Sequence, residues 1–413
     1  MRIALVSDCY WPRVNGVTVS LQSFRDEFVK RGHEVRIYCP AYPESFGKVK
    51  DEPGVERLAS MPTLASKEDR LLRLDAFPAF FKSLDEFKPD VIHVNTEFAM
   101  QIAGRIYSRI RGYPVLISSH TDYEDYAYNY IPYIDRSVLK AIVRFFMRRI
   151  FNTADVLITP TREMERRLRS YRIEKPFHII PTGVPLIFSP QPAADVAAYR
   201  SGMDERYPQL AGKRLLVFAG RVTEEKDVKF LLPVLAKLDA ARGDVALAIA
   251  GDGPYRQKLQ EETAKAALQD KIAFMGYVPR TDLPLVYAAA DVFVFPSKTE
   301  TQGLCTIEAM ATGTPVVAIG EMGTKDVMGG DNGGFMVKND VDEFAQATLR
   351  LLGDAELRRA KSDEAIAWSK RYRIDEVTDE LLELYRHVAA ARKPRELRAW
   401  IESKRKAWTD RER

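Results

Sequence analysis

The sequence predicts an α/β protein of two parallel-sheet domains in series, and three observations carry that expectation. Short apolar runs alternate with helix-length amphipathic segments along the whole chain, the pattern of strand–helix–strand units. The alternation stops at Pro181-Thr-Gly-Val-Pro, gives way to a Pro/Ala-rich stretch running to about residue 196, and then starts again. Finally, 413 residues is too long for one compact core and suits two domains of ordinary size.

Taken in order, the first half places strands at 3–7, 35–38, 91–94, 115–119, 156–159 and 177–180, with helices near 17–30, 71–87, 98–111, 136–151 and 162–170. The second half places strands at 215–219, 245–250, 272–274, 291–295, 315–319 and 334–337. Helices fall between these strands, and long ones follow near 341–352, 355–370 and 376–391. The expected organisation is a domain over 1–185, a second over 186–375, a helix over 376–391 that crosses back to the first domain, and a tail over 392–413. In such sheets ligands bind beyond the carboxyl ends of the strands, so the loops there, facing a central cleft, are where chemistry is expected.

Composition narrows the class. With 46% apolar and 29% charged residues the chain is globular, and a net charge of +4 gives no nucleic-acid-like excess. Cys9, Cys39 and Cys305 match no zinc spacing and form no disulfide framework, which points to a reducing compartment. No apolar run approaches the ~20 residues of a spanning helix. The opening Met1-Arg-Ile-Ala-Leu-Val-Ser already reads as a strand, so the expectation is a cytoplasmic protein without a signal peptide.

Charge is concentrated at the far end. Residues 392–413 hold nine Lys/Arg and four Asp/Glu, a net of +5, so the rest of the chain sits near −1. Leu397, Trp400, Ile401 and Trp408 fall roughly on one side of a helix there. That pattern fits an anionic lipid surface, where each basic residue contributes roughly 1 kcal/mol, and it fits a solvated terminal helix equally well. A second basic amphipathic segment, Lys140-Ala-Ile-Val-Arg-Phe-Phe-Met-Arg-Arg-Ile-Phe, spaces Lys140, Arg144 and Arg148 every four residues. Its apolar face is expected to pack on the sheet, with a membrane contact as the alternative.

Six loops carry candidate chemistry. Asp8-Cys-Tyr-Trp-Pro-Arg-Val-Asn-Gly-Val-Thr follows the first strand and is not G-x-G-x-x-G, which removes the main support for a dehydrogenase. Gly16 stands at the mouth of a helix, as a turn glycine or as a point of close ligand approach. Ser118-Ser-His-Thr-Asp-Tyr-Glu-Asp-Tyr places His120 at a strand's carboxyl end, ahead of a Tyr-rich loop. Val217-Phe-Ala-Gly-Arg-Val-Thr-Glu-Glu-Lys puts Arg221 and Lys226 between a strand and a helix, where two cations neutralise a diphosphate without a metal or simply face solvent. Gly251-Asp-Gly-Pro and Gly276-Tyr-Val-Pro are tight turns whose backbone can frame a base. The one D-x-D, Asp340-Val-Asp342, reads as a helix cap rather than a metal site.

The sixth stretch organises the rest: Phe295-Pro-Ser-Lys-Thr-Glu-Thr-Gln-Gly-Leu-Cys-Thr-Ile-Glu-Ala-Met-Ala-Thr-Gly-Thr-Pro-Val-Val-Ala. A strand breaks at Pro296, a polar loop follows, and Gly303 opens a short helix over 304–311. Glu300 lies in the loop and Glu308 about one turn inside the helix. A helix N-terminus at a parallel strand's carboxyl end suits a phosphate, and two carboxylates beside it suit sugar hydroxyls.

Taken together, Asn15-Gly-Val, His120, Gly220-Arg…Lys226, Gly251-Asp-Gly-Pro and the Glu300/Glu308 pair resemble the retaining glycosyltransferases of family 4, group 1, which have the GT-B fold of two Rossmann-like domains. The resemblance covers nearly the whole chain. It implies that Arg221 and Lys226 hold a donor diphosphate, helped by the backbone at Gly303 and Leu304 and at Gly16. It implies that Glu300 binds the donor sugar, Glu308 the ribose, and that Val278, Thr301 and Gln302 complete the nucleotide-sugar site of the second domain. His120, with Arg221, Lys226 and Glu300, belongs to the implied catalytic set. Asn15, Asp122, Tyr123 and Tyr126 would meet the acceptor in the first domain. Ser297-Lys-Thr-Glu-Thr-Gln-Gly-Leu is most similar to diacylglycerol glucosyltransferases, which implies UDP-glucose as donor, a lipid hydroxyl as acceptor, front-face retention, no essential metal or other cofactor, and a peripheral position on a membrane. A GDP-mannose-dependent mannosyltransferase acting on a lipid or a soluble sugar is the near alternative. A sugar-nucleotide epimerase and a non-catalytic nucleotide-sugar-binding module are the rivals from other classes.

Overall fold

The computed structural model describes residues 1–46, 52–63, 69–124 and 134–390. The basic tail, with Trp400 and Trp408, and Tyr126 lie outside the described residues. The chain divides into two compact units, one formed by Met1–Gly183 together with the chain from Ile374 onward, the other by Val184–Arg373.

The first unit contains β1 (Arg2–Val6), α1 (Gly16–Lys30), β2 (Glu34–Pro40), β3 (Val55–Leu58), β4 (Ser60–Pro62), β5 (Arg70–Leu72), α2 (Phe77–Phe87), β6 (Val91–Val94), α3 (Ala99–Arg111), β7 (Val115–Ser118), α4 (Arg136–Phe151), β8 (Val156–Thr159), α5 (Arg162–Ser170) and β9 (Phe177–Ile179). Its seven-stranded sheet runs β3-β2-β1-β6-β7-β8-β9 with every pair parallel. Parallel strands covered on both faces read as unbroken apolar runs, and β6, β7 and β8 are buried at all four positions. Phe80, Leu84, Met100, Tyr107 and Met147 cover one face. The other is covered by Leu21, Phe24 and Phe28 of α1 and by the terminal helix Ile374–Ala390. The latter is anchored where His93 of β6 hydrogen-bonds to Tyr385 (2.5 Å) and to Ser118 (2.7 Å).

Two expectations needed correcting in this unit. The helix expected over 71–87 begins only at Phe77, because Pro78 is tolerated only in a first turn. Residues 70–72 instead pair antiparallel with β4 as a small hairpin. The segment over 136–151 also has two apolar faces rather than one. Leu139, Val143, Met147 and Phe151 are buried, whereas Val138, Ile142, Phe145 and Phe146 stand 41–58% exposed.

The second unit contains α6 (Ala193–Arg206), β10 (Arg214–Ala219), α7 (Leu231–Arg242), β11 (Val245–Ala250), α8 (Arg256–Lys265), β12 (Ile272–Gly276), α9 (Leu283–Ala288), β13 (Val292–Phe295), α10 (Leu304–Ala311), β14 (Val316–Ile319), α11 (Met322–Met328), β15 (Gly334–Val337), α12 (Val341–Gly353) and α13 (Ala355–Ser369). Its sheet runs β12-β11-β10-β13-β14-β15, again all parallel. The irregular stretch after Pro181 ends at Pro192. Helix α6 was missed because it buries only Met203 and so carries no periodic signal. Asp340 caps α12, accepting from Glu343 N at 2.8 Å, as its sequence position suggested. No helix among the described residues is long and apolar enough to cross a membrane.

Candidate functional site

In each sheet the strand order reverses once, between β1 and β6 in the first unit and between β10 and β13 in the second. Crevices beyond the carboxyl ends of such strands are where open α/β sheets bind ligands.

In the second unit that place collects most of the expected donor residues. After β10 the chain enters the loop of Arg221, whose side chain is exposed, and reaches Lys226 in a short helical turn. This loop is braced by the Gly251-Asp-Gly turn. A Cβ on Gly251 would stand 1.8 Å from the Gly220 carbonyl oxygen, and one on Gly253 would stand 2.3 Å from that of Val222. Only glycine allows so close an approach. Gly220 N and Val222 N donate to Ala250 O and Asp252 O, each at 3.0 Å. The turn expected to frame a base therefore buttresses the cationic loop, although Val278, half-buried against the core, follows β12 as anticipated.

Across the reversal point, β13 ends at Phe295 and the loop brings Glu300 to Lys226, with Nζ to Oε1 at 2.5 Å. Burial alone would lower the Lys226 pKa, but the Glu300 carboxylate beside it outweighs that and raises it, so the ammonium stays charged. The loop is pinned from behind: Gly323 N donates to Glu300 O at 2.7 Å, and a Cβ on Gly323 would meet the Thr301 carbonyl at 2.4 Å. Gln302 is buried and Thr301 half-buried. Gly303 adopts φ +88° at the start of α10 and supplies no side-chain cap, so the first amides of the helix, from Leu304, are available to an anion.

Glu308 lies a turn further along α10 and is buried. One oxygen is ion-paired with the Arg280 guanidinium at 2.7 Å, and the other accepts from the Tyr287 hydroxyl at 3.1 Å. Desolvation raises its pKa, with Arg280 and Tyr287 opposing. Cys305, between the two glutamates in sequence, has its thiol pKa pushed up to about 12 by burial, so it is a neutral thiol. Arg280, Tyr287 and Cys305 were not anticipated. Arg280 follows the Gly276-Tyr-Val-Pro turn, and its place at a strand's carboxyl end was the available signal.

In the first unit the reversal point is acidic and dry. Asp8 is buried after β1, accepts from Thr96 Oγ1 (2.7 Å), Phe98 N (3.0 Å) and Met100 N (2.8 Å), and so caps α3. Desolvation pushes its pKa up to about 6. Glu97, after β6, is 3% exposed and receives the Tyr123 hydroxyl at 2.5 Å. Burial, with Asp8 adding to it, pushes the Glu97 pKa up to about 8. Neither acid was anticipated, since a single acid in a loop forms no pattern until the strands align. His120 ends β7 nearby, partly open at one edge yet packed deeply enough that desolvation holds its pKa down at about 4, making it a neutral imidazole.

The expected acceptor residues are less open. Asn15 is the N-cap of α1, accepting from Thr18 N at 2.9 Å, while the Gly16 Cα faces open space. Asp122 is buried in an ion pair with Arg167 at 2.7 Å. Beside it the fully buried Glu124 carboxylate receives Arg144 at 2.5 Å and lies 3.7 Å from Lys140. Lys140 and Arg144, two of the three cations spaced every four residues along α4, are thus paired with an acid of their own unit. Among the described residues no cluster of His, Cys, Asp or Glu could hold a metal ion.

Comparison with known proteins decides the family. Residues 203–368 match the family described as "Glycosyl transferases group 1", and residues 14–187 match "Glycosyltransferase Family 4". An α-monoglucosyldiacylglycerol synthase of Streptococcus pneumoniae is 31% identical over 78% of this chain and 71% of its own length. The chain belongs to glycosyltransferase family 4, group 1. As a member it is a hexosyltransferase using a nucleotide sugar. Other family members are comparably similar: a GDP-mannose-dependent α-mannosyltransferase of Mycolicibacterium smegmatis is 30% identical over 83% of this chain and 86% of its own. The fold is GT-B: Anabaena HepE in complex with UDP superposes with a TM-score of 0.74 at 18% identity, over 93% of this chain and 99% of that one.

Proposed function

We propose that this family 4 enzyme transfers glucose from UDP-glucose, with retention, to the hydroxyl of a membrane lipid such as diacylglycerol. Supporting the donor half is the meeting of Lys226, Arg221, Glu300 and an uncapped helix N-terminus at one reversal point. A diphosphate entering there exchanges the Lys226–Glu300 contact for two better-matched ones. The ammonium takes the phosphate as leaving-group charge builds on it, and the released carboxylate takes sugar hydroxyls. No side chain stands ready as an isolated nucleophile in this reading. The departing phosphate accepts the acceptor's proton on the same face, and alignment supplies much of the rate. No metal is required, since two cations meet the diphosphate charge.

The observation that carries the lipid half is the outer face of α4. Val138, Ile142, Phe145 and Phe146 recur at helical spacing and are exposed, with the exposed Arg148 and Arg149 beside them. Apolar side chains rimmed by arginines suit the boundary of an anionic bilayer, where each inserted phenyl contributes on the order of 1–2 kcal/mol. Relatives named for glucosyldiacylglycerol synthesis support the same acceptor. The equally similar GDP-mannose-dependent relative favours a second reading, a mannosyltransferase.

The deciding experiment measures donor consumption across UDP- and GDP-sugars, with and without diacylglycerol vesicles, for the native chain and for Phe145→Asp/Phe146→Asp. UDP-glucose turnover that rises with vesicles and is lost in the double variant is the expected result. Turnover confined to GDP-mannose would replace the donor, and indifference to vesicles would remove the lipid. Truncation after Ala391 is expected to weaken vesicle binding while sparing vesicle-free donor hydrolysis.

A further inference from the structure

Glu308 raises a physical problem that its expected role does not solve. Its side chain is 3% exposed. A carboxylate so placed tends to take up a proton, and a protonated acid keeps only part of its capacity to accept from two neighbouring hydroxyls. Three groups face it: Arg280 from the loop after β12, Tyr287 from α9, and Cys305 one turn earlier on its own helix. Tyr287 and Cys305 are neutral, because burial raises both their pKa values. Arg280 is the cation in that set. Its guanidinium also lies over the Phe188 ring, 5.0 Å from the centroid, which fixes the long side chain with one end on Glu308.

We propose that Arg280 is a donor-positioning residue, which keeps the Glu308 carboxylate ionised and aimed so that the ribose hydroxyls of the nucleotide sugar meet an anionic acceptor in a buried place. This rests on the reading of Glu308 as the ribose contact. Arg280 acts through Glu308 and touches no reacting atom. Its selectivity is for a ribose against a deoxyribose rather than for the transferred sugar.

The sign of the pH dependence follows from the geometry. The acceptor form of Glu308 is the ionised one, so affinity for a nucleoside diphosphate falls as pH drops through the Glu308 pKa. That pKa is raised by burial and held back by Arg280, so removing the guanidinium raises it further and carries the acid limb to higher pH.

The test is calorimetric binding of UDP and of 2′-deoxy-UDP to the full-length protein across pH, without acceptor, for the native chain, Arg280→Met, Arg280→Lys and Glu308→Gln. Expected for Arg280→Met is a roughly tenfold weaker UDP complex at neutral pH, equivalent to about 1.4 kcal/mol, an acid limb moved upward, and a lost preference for UDP over the deoxy analogue. Arg280→Lys should recover part of all three, and it guards against a folding defect in the methionine variant. Arg280→Met with native affinity and an unmoved acid limb would overturn the proposal. So would tighter binding, which would make Arg280 a competitor for the ribose. If Glu308→Gln itself left UDP binding and the deoxy preference intact, the ribose reading would fail. If Glu308→Gln weakened binding while Arg280→Met did not, this inference alone would fail.

Discussion

The two reversal points of this molecule are built from the same architecture and opposite electrostatics. In the second unit, loops from neighbouring strands bring together unlike charges, Lys226 with Glu300, and burial is compensated within the pair. In the first unit, the corresponding loops bring together like acids, Asp8 and Glu97, and burial is compensated by protonation and by backbone donors instead. The first arrangement is exchangeable, because a ligand with its own charge and hydroxyls can replace each partner. The second is buried, and at neutral pH it pairs an Asp8 carboxylate held by backbone donors with a protonated Glu97. Two parallel sheets thus place an ion pair at one reversal point and a pair of acids at the other, and compensate burial in different ways.

Breaking the charged pair should have the largest effect. Lys226→Ala is expected to lower kcat/KM by a factor on the order of 10²–10³, with Glu300→Gln in the same direction. Steady-state kinetics corrected for the folded fraction check this. A pair that merely staples loops would change the melting temperature and leave turnover per folded molecule intact.

The buttress behind that pair comes next. Gly251→Ala forces the Gly220 carbonyl away and should destabilise the second unit by roughly 3 kcal/mol while raising the donor KM, read from denaturant unfolding and initial rates. Native kinetics in a destabilised variant would separate the turn from the phosphate loop.

In the first unit the comparison sharpens through pH. Glu97 holds its proton to about pH 8 when folded, against an ordinary value near 4.5. The folded state therefore binds more protons between those values, and the Glu97 contribution to stability is lost as pH rises from 4.5 toward 8. His93 and His120 act in the opposite sense, being held neutral with pKa values of about 3 and 4, so their contribution is lost on acidification. Glu97→Gln isolates the acid: its stability relative to the native chain should rise steadily across that window, by up to a few kcal/mol. A constant difference at every pH would mean that Glu97 is already ionised in the folded protein.

The smallest effect is expected at Asn15. Asn15→Ala should cost about 1 kcal/mol through the lost N-cap, and Asn15→Ser should restore it. Lost activity in a stable Asn15→Ser would assign the amide to the acceptor as well.

How much of this was legible depended on whether residues carried a period or only a position. Helix α10 was read to the residue, because Gly303 breaks the chain where an apolar helical run begins. Most parallel strands were placed within a residue or two, because burial on both faces writes them as unbroken apolar runs. Helix α6, strand β3 and the β4–β5 hairpin were missed: the helix buries one side chain, and the strands are three or four residues long and mostly unburied. Lys226 and Glu300 were singled out through their motif, and the structure brings them together. Arg280 and Glu97 were not, because each is one charged residue in a loop whose partner lies on another element. The double-faced α4 hid in plain sequence, since an apolar stripe on the core side and one on the solvent side add up to a single wide apolar face.

The return of the chain to the first unit has a consequence for synthesis. Tyr385 and the apolar face of Ile374–Ala390 cover strands whose own residues precede them by nearly the whole length of the polypeptide. As the chain emerges from its N-terminus, the second unit is complete by Arg373, while the first still leaves part of one sheet face uncovered until Ile374–Ala390 arrives. The half of the protein begun first is therefore the half finished last, and a nascent chain stalled before residue 374 would hold a finished second unit and a first unit whose sheet is only partly covered.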